Sequence, residues 1–118
     1  MKQVKLHNVS VEEVRTLQNE IHDYQNHVQT TIGIIKTPEQ FLNAIITIDL
    51  AFRLWFLFRT KIEKTDPKKG YTISFKTSEA AVLQKACMYQ NPNSGIFENN
   101  VKEKYKLFLD QQLKGMLL

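Results

Sequence analysis

Three histidines, one cysteine and twelve carboxylates are the groups through which this chain could do chemistry. His22 and His27 are five residues apart, so on a helix they point in different directions. Glu20, Asp23 and His27 do share a helix face, at i, i+3 and i+7. Two carboxylates and an imidazole suit a divalent ion if a second chain completes the shell. No HExxH or ExxH spacing accompanies them, and His7 stands alone near the N-terminus. The three are read as a solvated polar flank, and no metal ligand and no cofactor is expected.

Nucleophilic catalysis has no better footing. Cys87 falls on an apolar helix face, where a thiol is packing material. The chain has no Gly-x-Ser-x-Gly elbow, no P-loop and no dinucleotide fingerprint, and its four glycines leave little room for one. No catalytic residue is assigned, and the reading leans away from an enzyme.

A basic group makes a different offer. Arg59, Lys61, Lys64, Lys68, Lys69 and Lys76 cluster around one predicted turn, where they could engage phosphates without reading sequence. Tyr71 and Phe75 lie beside them and could stack on bases. Against this, Glu63 and Asp66 interrupt the cluster, and the two aromatics alternate as a buried strand face does. The last two helices do not make a helix-turn-helix, because the Gln90–Ile96 connection is too long. Sequence-independent nucleic-acid binding is therefore the alternative expectation.

The elements that must position these groups are legible. At 118 residues, 42% apolar and 24% charged, the chain suits one soluble domain spanning 1–118. Few glycines and prolines favour long helices over a turn-rich β fold. The net charge of +4 permits an anionic partner without requiring one. The single cysteine, and the lack of a signal-like apolar run in Met1–Ser10, predict a cytoplasmic protein.

Lys2–His7 alternates polar and apolar residues and predicts a short strand. Ser10 and Glu13 have the capping-box spacing, so a helix should run from Val11 to about Thr31. Its apolar seam is Val14, Leu17, Ile21, Tyr24 and Val28. Thr37 and Pro38 predict the cap and first residue of a second helix ending near Lys64. Thr65–Gly70 is a turn by composition. Tyr71–Lys76 alternates again, with Tyr71, Ile73 and Phe75 on one side. Thr77 or Ser78 should cap a third helix, Glu79–Tyr89, whose inner face is Ala80, Leu83 and Cys87. A last helix covers about Phe97–Lys114, burying Phe97, Val101, Tyr105, Phe108, Leu109 and Leu113. The two strands are expected to pair, and such a pair needs helices packed on it.

The second helix carries the longest apolar run, Phe41–Phe58. On a wheel, Phe41, Ala44, Ile45, Ile48, Ala51, Phe52, Trp55 and Phe56 form one broad face. Ile46, Leu50, Leu54 and Leu57 form another, with Asp49, Arg53 and Thr60 in one lane between them and Asn43, Thr47 and Lys61 in the other. Eighteen residues rise about 27 Å, close to a hydrocarbon thickness. However, Asp49 and Arg53 would each cost roughly 2.5–3.5 kcal/mol at its centre. The reading taken is a buried helix of a soluble protein, with no membrane. Asp49 and Arg53 have the i, i+4 spacing of a structural ion pair.

The expected fold is thus mainly α, a four-helix bundle-like domain with a minor two-stranded β element. The first-named apolar face should form the core. Ile46, Leu50, Leu54 and Leu57 should form a packing or dimer face, with Met116–Leu118 as a further apolar end for a partner. The expected function is a non-catalytic protein–protein interaction or scaffold protein, acting as a homodimer.

Overall fold

Alternating side chains build the two strands of the computed structural model, which describes residues 3–64 and 68–116. Strand β1 (Val4–Val9) turns Val4, Leu6 and Val9 inward, and β2 (Tyr71–Phe75) turns Tyr71, Ile73 and Phe75 inward. They pair antiparallel, with Val4 opposite Phe75, Leu6 opposite Ile73 and Val9 opposite Tyr71. The register breaks between Leu6 and Val9, where Asn8 takes a positive φ of 58°. His7 and Asn8 both face solvent there, and the break returns Val9 to the inner face. Gly70 fits against this irregularity at φ 83°. A Cβ on it would lie 2.8 Å from the Asn8 carbonyl carbon, so only glycine suits the position.

Helix caps follow their sequence signals. The Ser10 hydroxyl accepts from the Glu13 N–H at 3.1 Å, and the Glu13 carboxylate accepts from the Ser10 N–H at 3.0 Å, starting α1 (Val11–Thr31). After a 3-10 turn at Ile32–Ile34, Thr37 accepts from the Gln40 N–H and α2 begins (Pro38–Ile62). Helix α3 (Thr77–Met88) starts earlier than its hydroxyls suggest. Thr77 is its first helical residue, and the Glu79 carboxylate accepts from the Lys76 N–H at 2.7 Å. Helix α4 is Ile96–Gly115. The fold is mainly helical, with four helices and one two-stranded antiparallel sheet. Thr65, Asp66 and Pro67 of the expected turn, Lys2 of the expected strand, and Leu117 and Leu118 lie outside the described residues.

Helix α1 is the hub. It packs most extensively on α2 and also touches α3 and α4, while α2 packs on α1 and α3. Val14, Leu17 and Ile21 of α1 join Leu54 and Phe58 of α2, the inner strand residues, Leu83 of α3 and Leu109 of α4 in one core. Phe58 meets Phe75 edge to face, with ring centroids 5.9 Å apart. Phe97, an expected core residue in the first turn of α4, is exposed instead. Met116 packs against the core within the chain.

A second seam on α1 is polar and buried. Glu20 and Lys102 form an ion pair at 2.9 Å, each side chain only 5% exposed. Ser94 donates to both Glu20 oxygens at 2.7 and 2.9 Å, and Lys102 donates to the Tyr89 carbonyl at 2.6 Å. Asn91 donates to Asp23 at 2.7 Å, and His27 stacks on Tyr89 at 4.6 Å. Of the expected solvated flank, Glu20 is buried, Asp23 half-buried and His27 exposed, and all three touch the segment that follows α3. Glu20 is buried because α4 supplies the cation that makes its burial tolerable. A third link joins α1 to α4, where Lys104 and Tyr105 both donate to Glu13. Burial pushes the Glu13 carboxyl up. The bonds from Lys104, the Ser10 N–H and Tyr105 outweigh that push and hold it below the usual carboxylate value.

Candidate interaction surface

Helix α2 must decide which of its sides to bury. Its two apolar faces are separated by polar lanes, and the inward direction runs through one of those lanes. Ala44, Thr47, Ala51, Leu54 and Phe58 are buried. The lane containing Thr47 goes in and the lane containing Asp49 and Arg53 stays out, because a threonine costs far less to bury than two charges. Each apolar face is consequently divided. This corrects the expectation that Phe41, Ile45, Phe52 and Phe56 are core residues, since all four are exposed. Of the four residues expected to form the packing or dimer face, Leu54 is fully buried within the chain. Leu50 and Leu57 are half-buried against the core, and Ile46 is exposed.

The result is a continuous exposed surface along α2. Phe41, Leu42, Ile45, Ile46, Phe52 and Phe56 all lie on it, with Ile46 56% and Phe56 57% exposed. At 100° per residue, Asp49 sits at its angular centre, with Leu42, Ile45, Arg53 and Phe56 within one side-chain width. Asp49 and Arg53 are 3.3 Å apart and about three-fifths exposed. Such a pair contributes little to monomer stability. By length and composition α2 is the one helix among the described residues suited to cross a membrane, and 28% of its most apolar stretch is buried.

Beside this face a groove of about 230 Å³ opens between α1 and α2. Ile21 and Gln25 line it from α1, and Ala51, Phe52, Trp55 and Phe56 line it from α2. Gln25 is 4% exposed, and its Nε2 has no hydrogen-bond partner among the described residues.

The basic residues sit at the far end of α2 and around the strand entry. Arg59 pairs with Glu63 at 3.0 Å and lies over the Trp55 ring. Lys61 is half-buried, and Lys64, Lys68, Lys69 and Lys76 are exposed. Tyr71 and Phe75 do not join them as a stacking platform, since both are buried in the core. The Tyr71 hydroxyl donates to the Lys64 carbonyl at 3.3 Å.

The groups that could do chemistry are dispersed or engaged. Cys87 is buried, and burial pushes its thiol up to about 12, far from a reactive thiolate. Among the described residues no group of three or more His, Cys, Asp and Glu side chains could hold a metal ion. The chain matches no protein-family model and shows no significant similarity to a curated protein or a solved structure. The exposed face of α2 is the candidate that its own geometry offers.

Proposed function

We propose that this protein is a non-catalytic interaction or scaffold module that self-associates as a homodimer through the exposed face of α2. The observation that carries the reading is that face itself: six large apolar side chains in one stripe on a helix whose other side is already in the core. Soluble proteins rarely leave such a contiguous stripe uncovered. We read the four helices as a bundle-like domain of the cytoplasm that presents α2 outward.

Sedimentation tests this directly. The wild type should sediment as a dimer at micromolar concentration. Phe56→Glu should weaken association by about tenfold or more, as expected when an interface anchor is replaced by a charge. A monomeric wild type up to about 100 µM would sink the reading, because an interface weaker than that is not a stable dimer.

A second reading draws on the exposure of Lys64, Lys68, Lys69 and Lys76. With Arg59 and Lys61 they could bind phosphates without sequence preference. The burial of Tyr71 and Phe75 removes base stacking from that reading, leaving electrostatics alone. Retention on a DNA column that falls steeply with salt is its expected signature, and no retention at low salt ends it.

A further inference from the structure

The exposed face of α2 has a charge at its centre, and that constrains what can cover it. Asp49 lies at the angular middle of the stripe and beside Leu50, the midpoint of Pro38–Ile62. Arg53 follows one turn later and is equally exposed. A wholly apolar cover, whether lipid or a hydrophobic peptide, would bury the Asp49–Arg53 pair with only its own 3.3 Å contact to offset the desolvation of both charges. A cover that brings a further cation to Asp49 and a further anion to Arg53 offsets that cost.

We infer that the cover is a second copy of this chain lying antiparallel, α2 against α2, with Asp49 of each copy facing the partner's Arg53. This rests on the self-association reading above and specifies its geometry. In a two-fold pair, residue i meets residue j and j meets i. One Asp–Arg contact therefore generates the other at no further geometric demand. The two-fold axis then passes level with Ala51, one residue from the helix midpoint, so the two helices overlap along nearly their whole length.

The same register disposes the apolar residues well. Ile46 falls opposite the partner's Phe56, and Leu42 falls opposite the partner's Thr60. Phe52 lies nearly level with its own mate, near the axis. Glu39 falls level with the partner's Glu63, which is already paired with its own Arg59, and the helix dipoles oppose.

The competing arrangements are poorer. A parallel pair sets Asp49 on Asp49 and Arg53 on Arg53, like charge on like. Sliding an antiparallel pair by one turn, about four residues, sets Asp49 against the partner's Asp49 or Leu57 and offers the carboxylate no cation from the partner. The exposed ion pair thus acts as a specificity device. Within the monomer it is nearly idle. In the dimer it selects orientation and register.

Charge swaps decide the matter. Asp49→Arg places arginine against the partner's Arg53 twice, and Arg53→Asp places aspartate against the partner's Asp49 twice. Each alone should weaken dimerisation by about tenfold or more. An equimolar mixture of the two should form a heterodimer whose affinity returns to within about threefold of the wild type, because both cross-pairs are again opposite in charge. The double variant should recover in the same way.

Cysteine cross-linking gives an independent readout. Phe52→Cys should be linked to its mate by a short bismaleimide, because it lies near the two-fold axis but about 80° round the helix from the Asp49–Arg53 midline, too far for a direct disulfide. Leu42→Cys should not, since its mate lies about 27 Å away along the axis in this register. Buried Cys87 does not compete. A dimeric wild type with neutral swaps, a mixture no tighter than its components, or cross-linking at both positions overturns the antiparallel register while leaving self-association standing. A monomeric wild type overturns both.

Discussion

Lys102→Met should destabilise the fold by about 3–5 kcal/mol, because it leaves the buried Glu20 carboxylate without its counter-charge. Glu20 and Lys102 are each 5% exposed and 2.9 Å apart, and Ser94 supplies the remaining close donor to both Glu20 oxygens. Methionine keeps the length of the lysine, so the loss reports charge and hydrogen bonding rather than volume. The Tyr89 carbonyl also loses its 2.6 Å donor, which loosens the loop between α3 and α4. Lys104→Met is the control. Lys104 also pairs with a glutamate, Glu13 at 2.8 Å, but its side chain is 59% exposed. Its loss should cost no more than about 1 kcal/mol. Urea unfolding measures both. Equal effects would show that the buried pair has no special weight.

Phe58→Ala should cost about 3–5 kcal/mol through lost burial and the cavity left behind. Phe58 is fully buried and is the contact through which α2 reaches the strand layer, at Phe75. Phe56→Ala removes the same ring only two residues away, from a side chain that is 57% exposed. At concentrations where the protein is monomeric it should move the unfolding midpoint by less than about 0.5 kcal/mol. Both measurements read the same quantity, so the comparison tests which side of α2 is core. A Phe56→Ala variant as unstable as Phe58→Ala would invert the assignment made above.

Much of the backbone was readable from residue types. Ser10 and Glu13 at capping-box spacing start α1, and Thr37 before Pro38 starts α2. Those signals are local: the groups that satisfy the free helix amides lie within three residues of them. Alternation in Tyr71–Phe75 likewise identified the inner residues Tyr71, Ile73 and Phe75, because a half-buried strand has a period of two. Helix α3 begins at Thr77, two residues before the expected Glu79, since the Glu79 carboxylate accepts from the Lys76 N–H at its start.

The buried polar seam on α1 was not readable. Glu20 looks like a surface residue of an amphipathic helix, and nothing near it in sequence announces Lys102, Ser94 or Asn91. Its burial depends on donors that arrive from α4 and the preceding loop. The wheel of α2 was equally ambiguous. It showed two apolar faces and assigned the larger one to the core. The structure buries part of each, because the choice that matters is which polar lane to enclose.

The sequence by itself determined where the helices and strands lie and that the Phe41–Phe58 segment carries more apolar surface than one face can hide. Those facts rest on local hydrogen bonding and periodicity. Only the tertiary structure decided that Glu20 and Lys102 meet, and that Thr47 rather than Asp49 turns inward. That left Ile46, Phe52 and Phe56 with Asp49 and Arg53 on the outside. Desolvation depends on which charges and side chains converge from distant parts of the chain, and that convergence exists only once the helices have packed.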